Sequence, residues 1–389
     1  MSEPYALLIV GAGPAGLAAA RAFRAAGGSG RVALVTDERR MPYSRPPLSK
    51  ELLREEMHED ELLIEEETWL DEQRVDLIGG EAMRLEPNRH ELLLSGGRVL
   101  EYRVCLVATG SEPTRLPVPG ADHPGVRTLR SLDDLRELKR RLEPGTPVTV
   151  IGSGFIGCEI AASLRLLSHP VALISDESAP NVARLGEQAA AEITAWLSDL
   201  GVVLQLSTAV EAIERVSGRL RVLGGQHPAE AVVVIMATGV APRGELAGLA
   251  GAALADGAIA TDERLHTSLP GLLAAGDVAA AVNTTAGRRL RVEHWGDALG
   301  QGEVAGRIAA GEDQTWAAVP GFWSTIGRHT LKYAAWGDGF DETRFEPGRD
   351  GAFTVWYGRD GRLVGVLTHD DDSAYERGRD LIAEGAAWR

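Results

Sequence analysis

Short apolar runs and alanine-rich segments alternate along this 389-residue chain. The runs Ala6–Val10 and Val148–Ile151 each precede a glycine-rich loop, which leads into a segment rich in alanine and leucine. Second apolar runs follow at Arg31–Thr36 and Val171–Ser175. A strand, a helix and a second strand in this order form a β-α-β unit. The pattern therefore predicts an α/β fold that contains two such units.

The pattern changes beyond about residue 320, where aromatic residues become frequent. The stretches Phe353–Tyr357 and Leu363–Leu367 flank a Gly-Arg-Asp-Gly turn and are predicted to pair as strands. A final helix is predicted from about Ser373 to Gly385. Upstream, the charged segment from Ser131 to about Leu142 predicts an amphipathic helix. We interpret the acidic stretch Glu51–Glu67 as the solvated face of a helix.

The two glycine-rich loops share one spacing, G-x-G-x-x-G, and begin 141 residues apart. Their glycines are Gly11, Gly13, Gly16, Gly152, Gly154 and Gly157. In such loops the first glycine allows a tight turn, the second lets the backbone approach a pyrophosphate, and the third lets helix and strand pack closely. The N-terminus of the following helix supplies N–H donors to the phosphates. Two copies in the same local context predict two dinucleotide sites.

Each second strand ends in a pair of acids. The sequence Val-Ala-Leu-Val-Thr leads to Asp37 and Glu38, and the similar Val-Ala-Leu-Ile-Ser leads to Asp176 and Glu177. Asp37 lies 26 residues after Gly11, and Asp176 lies 24 residues after the second loop's first glycine. A carboxylate at about 20 residues binds the adenosine ribose in dinucleotide sites. We therefore expect one acid of each pair to bind a ribose, although acids after strands are common.

Composition excludes several classes of protein. Apolar residues make up 44% of the chain and charged residues 25%, as in an ordinary globular protein of two or three domains. A net charge of −16 argues against nonspecific binding of nucleic acid or of anionic membranes. No apolar stretch is long enough to predict a transmembrane helix. The N-terminal apolar run is used as a strand, so we expect no signal peptide and a cytoplasmic protein.

The two cysteines, Cys105 and Cys158, both lie in apolar segments and are expected to be reduced core thiols. None of the nine histidines has a spacing typical of metal ligands, so no metal site is predicted.

Several further segments occur in a fixed order: an Arg-Pro-Pro-Leu-Ser-Lys motif at 45–50, two strands that end in Ala-Thr-Gly, an Ala-Gly-Asp at 275–277 and a Glu-His-Trp at 293–295. With these motifs the whole chain resembles the NAD(P)H:ferredoxin reductases of oxygenase systems, the flavoproteins similar to putidaredoxin reductase and rubredoxin reductase. Apoptosis-inducing factor is a more distant relative of this family.

The resemblance implies a glutathione-reductase-like architecture with two Rossmann-like domains, for FAD and for NAD, and a small C-terminal α/β domain. The FAD-binding domain would comprise residues 1–115 and 242–318. The NAD(P)H-binding domain would comprise 116–241, and the C-terminal domain 319–389. A monomer or weak homodimer is expected.

The resemblance also assigns cofactor-binding residues. Those for FAD would be Gly11, Gly13, Gly16, Asp37 or Glu38, Arg45, Lys50, Ala108, Thr109, Gly110, Asp277, Glu293, His294, Trp295 and Trp323. Those for NAD would be Gly152, Gly154, Gly157, Asp176, Glu177 and Gly239. The family acid often falls at the position of Ser175, which leaves the contact by Asp176 open. The acidic Ser175–Glu177 segment would repel a 2′-phosphate, so we favour NADH over NADPH.

From the resemblance we also infer three candidate catalytic residues, Lys50, Glu159 and Trp295. Lys50 and Glu159 resemble an ion pair beside the flavin, and Trp295 an aromatic residue beside it. FAD would accept a hydride from NADH at N5. No cysteine has a nearby partner for dithiol chemistry, so we expect electrons to leave singly to a ferredoxin-type iron–sulfur protein.

The segment after the C-terminal aromatic residues departs from the family pattern, and it borders the flavin in relatives. After Phe322-Trp323-Ser324 the family commonly continues Asp-Gln, whereas this chain has an atypical segment, Thr325–Thr330. Arg288, Arg289 and Arg291 are candidates for a ferredoxin-docking patch or simply solvated arginines. Two alternatives stay open: an NADH-dependent flavin oxidase or dehydrogenase that uses oxygen, a quinone or a small molecule, and an NADH-responsive sensor similar to apoptosis-inducing factor.

Overall fold

The computed structural model describes residues 3–38, 40–225 and 227–389. Their first part forms a sheet of seven strands in the order β3-β2-β1-β6-β5-β4, with a strand from later in the chain beside β6. Its elements are β1 (Tyr5–Val10), α1 (Pro14–Ala25), β2 (Val32–Thr36), α2 (Glu67–Glu72), β3 (Val75–Gly79), β4 (Ala82–Glu86), β5 (Glu91–Leu94), β6 (Val99–Val107) and β7 (Ser111–Pro113). Strand β1 pairs in parallel with β2, as the β-α-β pattern predicts, and its other edge pairs in parallel with β6.

The second part repeats this arrangement with five parallel strands in the order β11-β10-β9-β15-β8. Its elements are β8 (Val126–Arg127), α3 (Leu132–Lys139), β9 (Val148–Ile151), α4 (Phe155–Leu166), β10 (Val171–Ile174), α5 (Val182–Asp199), β11 (Val203–Gln205), β12 (Ala212–Val216), β13 (Arg219–Leu223), β14 (Ala229–Ala231), β15 (Val233–Met236) and β16 (Val240–Pro242). Strands β12, β13 and β14 form a separate antiparallel sheet.

Strand β16 pairs with β7 in an antiparallel ribbon at the point where the chain leaves the second part. The chain then returns to the first part. The next elements are α6 (Glu245–Leu249), β17 (Leu254–Ala255), β18 (Ala258–Thr261), β19 (Leu272–Ala274), β20 (Ala279–Asn283), β21 (Arg288–Arg291) and α7 (Trp295–Ala309). Strand β19 joins the first sheet beside β6. We propose that the β7–β16 ribbon marks the junction between the predicted domains 1–115 with 242–318 and 116–241.

The C-terminal part is an antiparallel sheet in the order β22-β23-β26-β25-β24 with one helix. Its elements are β22 (Gly321–Ile326), β23 (His329–Ala335), β24 (Glu342–Pro347), β25 (Phe353–Arg359), β26 (Arg362–His369) and α8 (Asp372–Ala383). The predicted hairpin corresponds to β25 and β26, and the predicted final helix corresponds to α8.

Two predicted helices had different outcomes. The amphipathic helix α3 begins after Ser131, which caps it together with Asp134. The acidic stretch 51–67, in contrast, contains turns and the short 3-10 helix Glu59–Leu62 instead of an α-helix. Leu53 and Leu62 are buried there, so leucine burial rather than helical periodicity determines this segment. Among the described residues, no helix combines the length and apolar composition needed to cross a membrane.

Candidate dinucleotide and electron-transfer site

The first glycine loop connects β1 to α1 at a close backbone crossing. Gly11 has a φ of +115°, and a Cβ there would lie 2.1 Å from the carbonyl oxygen of Ala108. Only glycine therefore fits this turn. A Cβ on Gly13, the residue that caps α1, would meet no atom of the described residues within 4 Å. Open space thus lies beside Gly13 at the N-terminus of α1, which fits the pyrophosphate of a dinucleotide.

The second loop has the same geometry between β9 and α4. Gly152 has a φ of +103°, and a Cβ there would lie 2.4 Å from the carbonyl oxygen of Ala237. Gly154 caps α4 and faces open space in the same way. Both loops therefore cross the end of a strand that leads into Ala-Thr-Gly, at 108–110 and at 237–239.

The acids after β2 differ in their contacts. The Glu38 N–H donates to Thr36 Oγ1 at 3.2 Å, and its carboxylate accepts from Tyr43 Oη at 2.6 Å and from Arg45. Asp37 is exposed, and its Oδ2 lies 3.7 Å from Arg243. The carboxylate of Glu38 is therefore held by two neighbouring side chains, whereas that of Asp37 is exposed.

The second pair of acids shows the same difference. The Glu177 N–H donates to Ser175 Oγ at 3.2 Å, and Glu177 Oε2 accepts from Ser153 Oγ at 3.3 Å. Ser153 is the second residue of the second glycine loop, so this carboxylate lies beside the loop. Asp176 is exposed. The buried Ser175 hydroxyl, at the position where the family often has an acid, shares a 2.7 Å hydrogen bond with the Ser153 hydroxyl.

Asp277 lies in a polar cluster that joins the two parts. Its Oδ2 accepts from Arg130 Nη2 at 2.8 Å and from Ser111 Oγ at 2.7 Å. Arg45 Nη1 in turn donates to the carbonyl oxygen of Arg130 at 2.9 Å. A Cβ on Gly110 would lie 3.7 Å from Arg130 Nη2, and this glycine therefore borders the same cluster.

Two residues of this region were missing from the sequence prediction. Arg130 precedes the capped start of α3, and its N–H donates to Asp134 Oδ2 at 3.0 Å. Tyr43 lies two residues before Arg45, and its hydroxyl accepts from the Leu132 N–H at 3.0 Å. Burial raises the pKa of Tyr43 to about 12; the charge of Arg45 acts in the opposite direction, and the hydrogen bond to Glu38 adds to the increase. It therefore remains a protonated donor near neutral pH. The Ser-x-x-Asp capping box was the available signal for Arg130.

Lys50 and Glu159 form a buried ion pair. Lys50 Nζ lies 2.9 Å from Glu159 Oε2, and the two residues are 4% and 2% exposed. Lys50 follows the 3-10 helix Pro46–Ser49, whereas Glu159 lies in the second turn of α4. Because removing charges from water is costly, a buried pair of this kind needs further hydrogen bonds. Ser49 and Ser324 both donate to the carboxylate.

Aromatic rings lie where α4, α7 and β22 meet. The Phe322 ring centroid is 4.7 Å from that of Phe155 and 4.5 Å from that of His294. Trp295 is half-buried at the first position of α7. Trp323 is 45% exposed, so it lies on the outer side of β22.

The remaining candidate residues have peripheral contacts. Thr109 Oγ1 donates to the Arg243 carbonyl oxygen at 2.8 Å. The Gly239 carbonyl oxygen accepts from the Thr114 N–H at 3.0 Å. Glu293 is exposed and pairs with Arg291 at 2.7 Å.

The three candidate docking arginines are partly neutralised by neighbours. Arg288 pairs with Asp338, and Arg291 pairs with Glu293. Arg289 donates instead to backbone carbonyl oxygens of Ala280 and Thr261. The three arginines and their two acidic partners together carry one net positive charge.

Both cysteines are buried and free. Burial raises the pKa of each thiol well above its ordinary value, so neither is an activated nucleophile. In the part of the chain that the structure describes, no group of three histidine, cysteine or acidic side chains could hold a metal ion.

Comparison with known proteins identifies the family. The model of the family described as pyridine nucleotide-disulphide oxidoreductase matches residues 5–302, a span that contains both glycine loops and the Lys50–Glu159 pair. This chain belongs to that family. The prediction of an FAD- and nicotinamide-dependent oxidoreductase class is thereby confirmed.

Several relatives of known activity extend along nearly the whole chain. The 5,5'-dehydrodivanillate O-demethylase ferredoxin reductase subunit of Sphingobium sp. is 34% identical over 391 residues, which cover 97% of this chain and 93% of that protein. Rhodocoxin reductase of Rhodococcus erythropolis is 31% identical over 383 residues, covering 97% and 89%. Human apoptosis-inducing factor 3 is 28% identical over 389 residues, but this chain, at 98% coverage, spans only 64% of its length.

Solved structures agree with the predicted architecture. The ferredoxin reductase for the CYP199A2 system of Rhodopseudomonas palustris superposes with a TM-score of 0.93 at 28% identity, covering 98% of this chain and 95% of that one. The covalent complex of putidaredoxin reductase with putidaredoxin gives a TM-score of 0.92 at 28% identity, with 97% and 93% coverage. The predicted fold class and family resemblance are confirmed.

Proposed function

We propose that this protein oxidises NADH and passes the electrons singly to a ferredoxin-type iron–sulfur protein that serves an oxygenase. The buried Lys50–Glu159 pair carries this proposal, because it joins the part with the first glycine loop to the helix that follows the second loop. Bound FAD supplies the chemistry, since it accepts a hydride from a nicotinamide and can release electrons one at a time. Relatives described as ferredoxin reductase components support the choice of acceptor.

The first loop and its neighbours would hold FAD. The backbone N–H groups after Gly13 would bind the pyrophosphate, and Glu38 the adenosine ribose. Arg45 and Arg130 supply positive charge between Glu38 and Asp277. We propose that phosphate oxygens draw Arg45 away from Glu38 when FAD is bound.

The second loop would hold NADH in the corresponding way. The N–H groups after Gly154 would bind its pyrophosphate, and the Glu177 carboxylate beside Ser153 would accept hydrogen bonds from the ribose hydroxyls. A 2′-phosphate would bring negative charge against that carboxylate. This arrangement supports the preference for NADH over NADPH.

The ion pair would set the charge where nicotinamide and flavin meet. The Lys50 ammonium is excluded from water and has Glu159 as its fixed partner. In such an environment a positive charge acts more strongly on nearby electron density than it would in water. Lys50 would thereby favour electron density on the reacting ring, and Glu159 would hold Lys50 in position.

Replacement of Lys50 tests this role. We expect Lys50→Ala to slow flavin reduction by NADH at least ~100-fold while the Kd for NAD⁺ changes less than ~3-fold, because removal of one electrostatic group typically costs 10²–10³ in rate. Stopped-flow absorbance at the flavin band measures the rate. The control is Lys139→Ala, which removes a lysine paired at 3.0 Å with Glu55 at the surface. Wild-type kinetics in Lys50→Ala would reject the role.

The acceptor is tested by reoxidation. The protein is reduced anaerobically with NADH and then mixed with a [2Fe–2S] ferredoxin, a [3Fe–4S] or [4Fe–4S] ferredoxin, or aerated buffer. Rapid reoxidation by one ferredoxin and slow reoxidation by air is the expected result. Fast reoxidation by air without response to any ferredoxin would contradict the proposal and favour an oxidase. Slow reduction with NADH-dependent dimerisation would favour a sensor.

The docking surface is proposed at Arg288, Arg289 and Arg291 on the edge strand β21. Because these three arginines and their two acidic partners carry a net charge of only +1, we expect replacement of all three arginines by glutamate to lower ferredoxin turnover about tenfold. The salt dependence of ferredoxin turnover should also decrease. Turnover with ferricyanide should not change. Equal loss with both acceptors would reject this surface.

A further inference from the structure

Glu159 receives hydrogen bonds from two separate parts of the chain. Its Oε2 accepts from Lys50 Nζ at 2.9 Å and from Ser49 Oγ. Its Oε1 accepts from Ser324 Oγ at 2.8 Å, and the Thr325 N–H lies 3.4 Å from the same oxygen. One carboxylate oxygen is therefore held by the segment before residue 51, and the other by β22 of the C-terminal sheet.

The two sides of the carboxylate are not equally secured. Helix α4 itself holds the segment that binds Oε2, because Ser163 Oγ donates to the carbonyl oxygen of Ser49 at 2.8 Å. No comparable bond between α4 and β22 supports Oε1 among the residues that the structure describes. Ser324 is 1% exposed, so water does not substitute readily for its hydroxyl. A buried carboxylate that loses one of its donors is destabilised, because no water replaces the missing hydrogen bond.

We propose that Ser324 is a positioning residue that orients Glu159 toward Lys50, so that the C-terminal sheet completes the ion pair. This inference rests on the proposed function, in which Lys50 acts next to the flavin. Loss of the Ser324 hydroxyl leaves Oε1 with only the longer, 3.4 Å bond from the Thr325 N–H, so the carboxylate is held less firmly against the Lys50 ammonium. Strand β22 also exposes Trp323 on its opposite face, and it thereby links the surface to the buried pair.

The test uses Ser324→Ala in the FAD-loaded protein. We expect flavin reduction by NADH to slow about tenfold, in line with a hydrogen bond to a charged group. The Kd for NAD⁺ should change less than ~2-fold, because no contact to NAD is assigned to Ser324. Ser324→Thr, which keeps the hydroxyl in a strand, should restore the rate to within ~3-fold of wild type.

Thr368→Val provides the matched control. Thr368 is 1% exposed in β26 of the same sheet, and its hydroxyl has no partner among the described residues. Because this hydroxyl makes no hydrogen bond to Glu159, its loss should leave the rate of flavin reduction by NADH unchanged. Equal slowing in Thr368→Val and Ser324→Ala would show general loosening of the sheet and would overturn the proposal.

A double-mutant cycle separates positioning from a structural effect. In a Glu159→Met background, Ser324→Ala should change neither the reduction rate nor the Tm, whereas alone it should lower the Tm by about 2 °C. Additive effects would overturn the proposal. The Tm measurement needs no NADH, so it remains informative if NADH fails to reduce the wild-type flavin, a result that would reject the proposed function instead.

Discussion

The two glycine-loop units share the same loop geometry but differ in the side chains of the helix that follows. In both units the first glycine crosses an Ala-Thr-Gly strand end, and the N–H of the second acid donates to a hydroxyl two residues earlier at 3.2 Å. Gly11 corresponds to Gly152, and Glu38 to Glu177. The backbone geometry of the two loops therefore does not distinguish one proposed dinucleotide site from the other.

The difference lies on the helix after each loop. Ala18 of α1 occupies the position that Glu159 has in α4, seven residues beyond the first glycine of each loop. Helix α1 packs through small residues on α7, where a Cβ on Gly302 would lie 2.2 Å from the Ala15 carbonyl oxygen. Helix α4 instead presents its carboxylate to Lys50. At this equivalent position α1 therefore has a small apolar side chain, whereas α4 has a buried, paired carboxylate.

The largest expected effect comes from the first glycine of each loop. Gly11→Ala would force a Cβ against the Ala108 oxygen at a φ of +115°, and Gly152→Ala would do the same against Ala237. We expect Gly11→Ala to abolish flavin retention, read as the ratio of absorbance at the flavin band to that at 280 nm. Gly152→Ala should retain flavin but raise the Kd for NAD⁺ at least ~30-fold, as expected for loss of a few kcal/mol of binding.

The control for this pair is Gly145→Ala, in a loop where a Cβ meets no described atom within 4 Å although φ is +77°. It carries a similar backbone strain without touching either loop. Loss of flavin in Gly152→Ala would show that the two units do not divide the cofactors as proposed.

The two β-α-β units could be predicted from the sequence because their motifs are short and local. Apolar runs, glycine spacing and paired acids all occur within about 30 residues of each other, and β1, β2, β9 and β10 follow them. The acidic stretch 51–67 was misread, since acids were taken as a solvated helical face while Leu53 and Leu62 turn inward. Charge alone did not reveal which leucines were buried.

The rest of the candidate site depends on contacts between distant segments. Ser324 lies 165 residues from Glu159, and Arg130 lies 147 residues from Asp277. No periodicity or spacing encodes such pairs, because they form only when three parts of the chain pack together. Lys50 and Glu159 could be named only through the family resemblance; their ion pair is present, and its role stays a prediction.

A smaller effect is expected at the two ribose acids. Glu177→Gln removes the charge that opposes a 2′-phosphate, so the preference for NADH over NADPH, measured as the ratio of kcat/KM values, should fall about tenfold. Glu38→Gln should leave that ratio unchanged and weaken flavin retention. Asp176→Asn is the matched control, since Asp176 is exposed. A larger effect of Asp176→Asn than of Glu177→Gln would reassign the ribose contact.

The smallest expected effect concerns how the second unit contacts the C-terminal sheet. The ring of Trp196 on α5 stacks on His329 at 4.3 Å, and His329 Nδ1 lies 3.3 Å from Nε2 of His369. Burial, then His369 and Arg328, lowers the pKa of His329, while Asp370 and Asp199 act in the opposite direction.

A lowered histidine pKa means that the unfolded chain takes up the proton at a higher pH than the folded protein does. Stability from this contact is therefore complete above the ordinary histidine pKa of about 6.5 and declines as pH falls below it, until the lowered pKa has been passed. We expect the Tm to fall by about 2 °C more between pH 8 and pH 5.5 in wild type than in His329→Phe, which keeps the stacked ring without its charge. His266→Phe, at an exposed histidine, should behave as wild type. An identical pH dependence in wild type and His329→Phe would show that protonation at this interface does not weaken the second unit's contact with the sheet.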